Sequence, residues 1–380
     1  MSSRAAVLAL VTMLAVTAAG CGRSAESPST FVVGAVEDAA KSGSADAKML
    51  LARQAGYRAI VLSSIWTPPL VAPPAAELAA LETAVIAAAT NGIRPIVAVY
   101  SFSSVTPTTP EARAQFAAYA ASIPRLLPGV RDVMVGNEPN LNLFWLPQFG
   151  PDGSDAAAAS YLALLAASYD ALKDVSPDIN VIGGSLSARG SDDPAAARPT
   201  HSPTRFIEDL GTEYRASGRD TPVMDMFSIH PYPENSSISP DFEHPQTTAI
   251  GLADYDKLVA VLGSAFDGTH QPGSSLPIVY GEYGLQTTVP QPKLGRYTGT
   301  EQATTKPIDE QAQATRYADA IAIAACHPTV RMLLFFHVSD EPQLERLQTG
   351  VFYADDTPKS SLKTIAHAAL AAQAQRPECP

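Results

Sequence analysis

The sequence is poor in several things, and each scarcity narrows the reading. Three cysteines occur in 380 residues, Cys21, Cys326 and Cys379. That is too few for a fold stapled by disulfides and not the spacing of a zinc cage. The histidines number seven and are scattered, with no pair at ligand spacing, so no metal centre is expected. Lys and Arg total 26 against 38 Asp and Glu, giving a formal net charge of −12, and the basic residues nowhere cluster. A nucleic-acid partner, which needs such a cluster, is therefore excluded. No glycine-rich phosphate turn follows the first apolar run, which continues as Val36-Glu37-Asp38-Ala39-Ala40. The run Gly183-Gly184-Ser185-Leu186-Ser187 lacks the second glycine of a nucleophile elbow. No cofactor is expected.

What is present describes a globular chain: 46% hydrophobic and 17% charged residues, long enough for one large domain or two ordinary ones. Residues 1–20 pair Arg4 with the apolar run Ala5–Ala19 and small residues before Cys21, the layout of a secretory signal. The ending Ala18-Ala19-Gly20-Cys21 resembles a bacterial lipoprotein signal, with Ala18 where that motif more often has Leu. This implies lipidation at Cys21 and a flexible polar tether over residues 21–30. The expected location is the extracellular face of the cell membrane through that anchor, or secretion; the chain is expected to act as a monomer.

From residue 31 onward, apolar strand-like runs alternate with Ala-rich helical ones. Strands are predicted at 31–36, 59–65, 95–100, 130–136, 180–185, 224–230, 277–281 and 330–337. Helices are predicted near 45–55, 75–90, 110–123, 154–175, 203–217, 252–265, 309–325 and 359–374. Ser154, Ser202-Pro203 and Asp309 supply helix-opening signals. Strict alternation implies parallel pairing with right-handed crossovers. Eight units, with no composition break and no internal repeat, predict an α/β fold: a single-domain (β/α)8 TIM barrel over residues 31–374, with 375–380 as a tail.

Chemistry in such a barrel sits at the C-terminal ends of the strands. Those ends read Glu37-Asp38, Trp66, Tyr100-Ser101-Phe102, Asn137-Glu138, Ser185-Leu186-Ser187, His230-Pro231-Tyr232, Glu282-Tyr283, and His337 with Asp340-Glu341. Carboxylates, amides, hydroxyls and aromatic rings together suit a sugar. Trp66, Trp145 and Phe144 are candidate stacking platforms, with Trp145 favoured because it follows closely on Glu138. Two of the ends share a form: apolar Val133-Met134-Val135-Gly136 stops at Asn137-Glu138-Pro139, and Ile278-Val279-Tyr280-Gly281 at Glu282. Three strands apart on a ring of radius ~7.5 Å, the two carboxyls would come within roughly 5–7 Å of each other. That overlaps the ~5–5.5 Å of a retaining glycosidase and touches the ~6.5 Å lower bound of an inverting one.

Gly136-Asn137-Glu138-Pro139 on a fourth strand, with Gly281-Glu282-Tyr283-Gly284 on a seventh, resembles the large barrel clan of retaining glycoside hydrolases (clan A, with its cellulase-type and xylosidase-type families). The likeness spans the whole barrel. It implies a glycosidase acting on a polysaccharide or glycoside, with Glu138 as acid/base, Glu282 as nucleophile and Asn137 at the sugar 2-hydroxyl. It places His230 and Tyr232 beside the nucleophile, where either could donate a hydrogen bond that keeps it ionised. Glu37, Tyr283 and His337 join them as expected substrate contacts. Phe335-Phe336-His337 departs from the clan, which often ends its eighth strand in Trp. No Arg stands at the end of strand two or three. The alternative is a surface carbohydrate-binding lipoprotein that kept the barrel without turnover. Since helices seven and eight run the same way, Cys326 and Cys379 should meet at the barrel's bottom and pair, which requires Cα atoms within ~7 Å.

Overall fold

The structure, a computed structural model, describes residues 31–377 and Cys379. The expected signal, the Cys21 lipidation site and the tether lie outside the described residues. Eight strands run β1 (Val32–Val36), β2 (Ala59–Ile65), β3 (Arg94–Tyr100), β4 (Asp132–Val135), β5 (Asn180–Ser187), β6 (Met226–His230), β7 (Ile278–Tyr283) and β8 (Val330–Phe336). Each pairs in parallel with the next in sequence, and β1 pairs with β8, closing the barrel. Helices α1 (Ala45–Gln54), α2 (Ala75–Thr90), α3 (Pro110–Leu126), α4 (Ala156–Val175), α5 (Pro203–Ser217), α6 (Tyr255–Phe266), α7 (Glu310–Cys326) and α8 (Leu362–Ala374) supply the crossovers. The fold is a (β/α)8 barrel.

The period-two alternation of a strand divides the apolar residues into two layers. On β2, Ala59 and Val61 point into the barrel with Ile96, Met134 and Met332. Ile60 and Leu62 point outward and pack in the thicker layer beneath the helices. Helix starts follow the sequence closely. Asp155, Ser202 and Asp309 each accept the backbone N–H three residues on, which satisfies a donor the helix itself leaves unpaired. At α4 the cap is Asp155 and not Ser154, whose hydroxyl is turned to Asp152. Helix α5 ends on Gly218 at φ +64°, where a side chain would be strained.

The bottom of the barrel is closed by polar groups that satisfy one another. Asp132, fully buried at the start of β4, accepts from the Arg94 guanidinium (Nε at 2.5 Å) and from Asn180 Nδ2 at 2.9 Å. At the same end Cys326 and Cys379 are joined, with Cα atoms 5.4 Å apart. The loops at the other end are pinned by a second buried pair: Lys359 Nζ lies 2.7 Å from Asp340 Oδ1, and Tyr297 donates to the other oxygen at 2.8 Å.

Candidate active site

Short stretches of backbone position the two glutamates. Beyond β4 the chain turns at Gly136, whose φ of +89° favours glycine and whose missing Cβ leaves room for the Tyr161 ring. From α4, Tyr161 donates to the Val135 carbonyl at 2.7 Å and accepts from Gly184 N–H at 2.9 Å, clamping the ends of β4 and β5 together. Glu138 then sits at φ +38°, unusual for a residue with a side chain. Its N–H donates to the carbonyl of Ser185, itself at φ +50°. Such conformations cost about 1–3 kcal/mol each and persist only when neighbours enforce them. Asn140 supplies part of that enforcement, donating to the Ser187 and His201 carbonyls and accepting from Ser187 N–H. Glu282 needs no such turn. It lies within β7, and pairing continues past it to Tyr283. Gly281 before it keeps clear the space where a Cβ would strike Ser228 Oγ and the His230 ring.

The two carboxyls meet around one imidazole. His230 Nδ1 is 3.1 Å from Glu138 Oε1 and 3.7 Å from Glu282 Oε2. A shared nitrogen caps the separation of those oxygens at roughly 7 Å, which admits the ~5–5.5 Å retaining geometry. Tyr232 donates its hydroxyl to Glu282 Oε2 at 3.1 Å. Both carboxyls line a cleft of about 430 Å³ at the C-terminal mouth of the barrel.

Charge in this cluster is contested. Burial is the largest influence on Glu282 and raises its pKa, as does the charge of Glu138. The charge of His230, the Tyr232 hydrogen bond and His337 pull the other way without cancelling the rise. For His230 burial alone favours the neutral ring, yet the charges of Glu282 and Glu138 and the bond to Glu138 together raise its pKa. Burial and then the two glutamate charges push the Tyr232 phenol far up, so it remains a donor. Groups coupled this closely titrate as a unit. The cluster holds protons that it can redistribute when a substrate brings new charge.

The remaining expected contacts divide. Asn137 and His337 line the cleft. His337 donates from Nδ1 to the Val36 carbonyl at 2.9 Å, and among the described residues its buried Nε2 has no hydrogen-bond partner. Burial works against the imidazolium, but Glu341, whose Oε2 lies 3.8 Å from Nε2, and Glu37 outweigh it and raise the His337 pKa.

Four expectations are corrected. Trp66 is fully buried; its indole N–H donates to the Leu70 carbonyl at 2.8 Å and its ring lies edge-on to Phe116 of α3. Trp145 is also buried, donating to Ser160 Oγ and packing edge-on to Tyr161. Both are large apolar bodies whose one polar atom is satisfied inside, so packing claims them. Tyr283 faces outward between Tyr317 and Phe335: the pairing of β7 with β8 shifts register between Tyr280 and Tyr283, which breaks the alternation and leaves Glu282 on the cleft side. Glu37 gives one oxygen to Ala39 N–H and the other to Ser339 N–H, tying the end of β1 to the loop after β8. Of the three candidate platforms only Phe144 lines the cleft, together with Tyr100, Phe102 and Phe336. Arg346 also reaches the cleft, 3.4 Å from Glu341. It sits on a long irregular loop, and nothing in the sequence marks it.

No protein-family model and no curated protein matches the chain. Solved structures do share its architecture. A Bacteroidetes-affiliated GH5 cellulase linked with a polysaccharide utilization locus superposes with TM-score 0.58 at 12% identity, covering 91% of this chain and 92% of that one. A GH39 β-xylosidase from Caulobacter crescentus gives 0.56 at 14% identity, covering 90% and 71%. The exo-β-1,4-mannosidase Op5Man5 from Opitutaceae bacterium strain TAV5 gives 0.55 at 15%, covering 94% of this chain, which spans only 62% of that enzyme. The structural neighbours are thus glycoside hydrolases, and at these identities the likeness is one of fold.

Proposed function

We propose that the chain is a retaining glycoside hydrolase. The observation that carries this reading is the pair of carboxyls gathered at one imidazole in the barrel mouth, at a separation that admits double displacement. Glu282 attacks the anomeric carbon while the bond to the leaving oxygen breaks, and that oxygen takes a proton from Glu138. The glycosyl ester removes the charge of Glu282, so Glu138 now accepts a proton from water. That water attacks the same carbon and releases Glu282 as a carboxylate. Tyr232 and His230 hold the Glu282 carboxylate with hydrogen bond and charge. Positive charge developing on the sugar ring adds a further pull against the burial that raises its pKa. Asn137 and His337 Nε2 supply contacts to the sugar hydroxyls. The substrate is a polysaccharide or glycoside. The N-terminal pattern supports export, with attachment to the membrane through a lipid on Cys21.

The raised pKa of Glu282 favours a second reading in which the two glutamates exchange roles. One experiment separates the possibilities. The first anomer released is followed by NMR on an aryl glycoside, and Glu138→Ala and Glu282→Ala are each offered azide. Retention, with a retained glycosyl azide from Glu138→Ala and an inverted one from Glu282→Ala, is expected. The opposite azide pattern assigns the exchanged roles. Inversion in the wild-type protein removes the double displacement, and wild-type turnover by Glu282→Ala removes catalysis at this pair.

A further inference from the structure

The cleft has two unlike walls. On the side of β7, β8 and β1 stand Glu282, His337, Glu341, Arg346 and Asp38, with Phe336 the one apolar aromatic ring among them. On the side of β3 and β4 stand Tyr100, Phe102 and Phe144, next to Asn137 and Glu138. Phe102 and Phe144 lie nearly parallel with ring centres 5.6 Å apart, and Tyr100 sets its edge against both, at 6.0 and 5.9 Å. Phe102 keeps 44% of its surface exposed. Leu143 and Leu146, on the same loop as Phe144, are exposed at 58% and 42%.

This lip is built, not frayed. Ser103 N–H donates to the Leu143 carbonyl, and Leu146 N–H donates to Thr106 Oγ1, stitching the loops after β3 and β4. Thr106 spends its own proton on the Ser103 carbonyl. Exposed apolar side chains scattered singly are ordinary, but a rigid group continuous with a cleft marks a binding surface. The lip also stands on the loop that carries Glu138, the group assigned to the leaving oxygen. The ring joined to Glu282 would lie along the polar wall, which can match its hydroxyls. The leaving group would then lean on Phe102 and Phe144, whose rings offer hydroxyls no hydrogen bond.

We infer that the natural substrate carries an apolar aglycone, an alkyl or aryl group that lies on the Phe102–Phe144 lip while the sugar occupies the polar half of the cleft. The inference rests on the glycosidase reading and names the substrate class for the same site. An alkyl chain transferred from water to such a surface contributes ~0.8 kcal/mol per methylene fully buried, so even one-sided contact discriminates strongly between chain lengths.

The test compares n-octyl with methyl glycosides over a set of sugars, below micelle concentration, with disaccharides of the same sugars as a third arm. Both alkanols are leaving groups of similar acidity, so the chemistry of bond breaking is matched. Turnover is read as kcat/KM, and binding is read separately by calorimetry on the Glu138→Gln protein. The octyl-to-methyl ratio is expected to be ~100-fold, and Phe102→Ala, at a half-exposed site that does not threaten folding, to lower it ~10-fold. A ratio near one, a disaccharide preferred to the octyl glycoside, or a ratio indifferent to Phe102→Ala overturns the inference. Octyl-selective binding without turnover of any glycoside leaves it standing and removes the hydrolase reading instead. Turnover without octyl preference does the reverse, and failure to bind or cleave any glycoside removes both.

Discussion

The two ends of this barrel handle carboxylates in opposite ways. At the bottom, Asp132 is sealed from water and satisfied by the Arg94 guanidinium and the Asn180 amide. At the top, Glu138 and Glu282 share one imidazole, keep part of their surface open at 16% and 19%, and work against each other electrostatically. The backbone follows the same division. Glu138 and Ser185, held at positive φ, lie at the top. One end of the fold is relaxed and holds the structure together. The other is strained and charged, and reactivity belongs there.

The contrast can be broken first at Glu282. Glu282→Ala is expected to lower kcat/KM on the order of 10⁴-fold, the scale on which removing one member of a catalytic unit acts. Its circular dichroism and denaturant midpoint should stay near wild type; a collapsed fold would make the residue structural. At the bottom the pattern should invert. Asp132→Ala leaves the Asn180 amide and the partly exposed Arg94 guanidinium without their acceptor and is expected to cost about 1–3 kcal/mol in urea unfolding. Below the transition, kcat should be close to wild type.

A smaller effect separates the donors at the top. Tyr232→Phe removes the hydrogen bond that lowers the Glu282 pKa, so that pKa rises further. Since the nucleophile acts ionised, the acidic limb of kcat/KM should move to higher pH, with activity down ~10-fold at its optimum, the value of about one hydrogen bond to a charged group. An acidic limb that stays put or moves down would refute the assignment of Glu282 as the group titrating there.

The smallest effect concerns stability. Because the folded-state pKa of Glu282 is raised, the fold favours its protonated form, and ionisation as pH rises through that pKa costs stability. Glu282→Gln should therefore melt ~2 °C above wild type at pH 7. The gap should close as pH falls below the ordinary carboxylate range, where both forms are neutral. An equal difference at all pH values would point to packing and not charge.

Much of the barrel was legible because most of the eight strands carry a short apolar run, and proline or a cap marks many of the boundaries. The predicted helices at 75–90 and 203–217 are those of the structure, since each begins beside a proline and ends at Asn91 or Gly218. The glutamate pair was legible for a similar reason: an apolar run that ends in a carboxylate has few places to put it. Aromatic residues were read poorly. Trp66 and Trp145 look like sugar platforms in sequence because indole suits both roles, and nothing local says whether a ring faces the cleft or a helix. Phe144 and Trp145 are neighbours in the chain. Only the stitching of their loop to residues 103 and 106 turns the first toward the cleft and the second onto Tyr161.

The sequence alone determined the alternation of strands and helices, the ends of most elements, and which carboxylates stand at the mouth. These follow from short-range physics: hydrophobic period, backbone propensity and capping act over a few residues. Tertiary structure decided which side chains face one another across the ring, that His230 lies between the two glutamates, and which aromatic rings are left for a ligand. Those outcomes depend on contacts between segments as far apart as residues 138, 230 and 282, where burial and competing charges set the result and no local pattern records it.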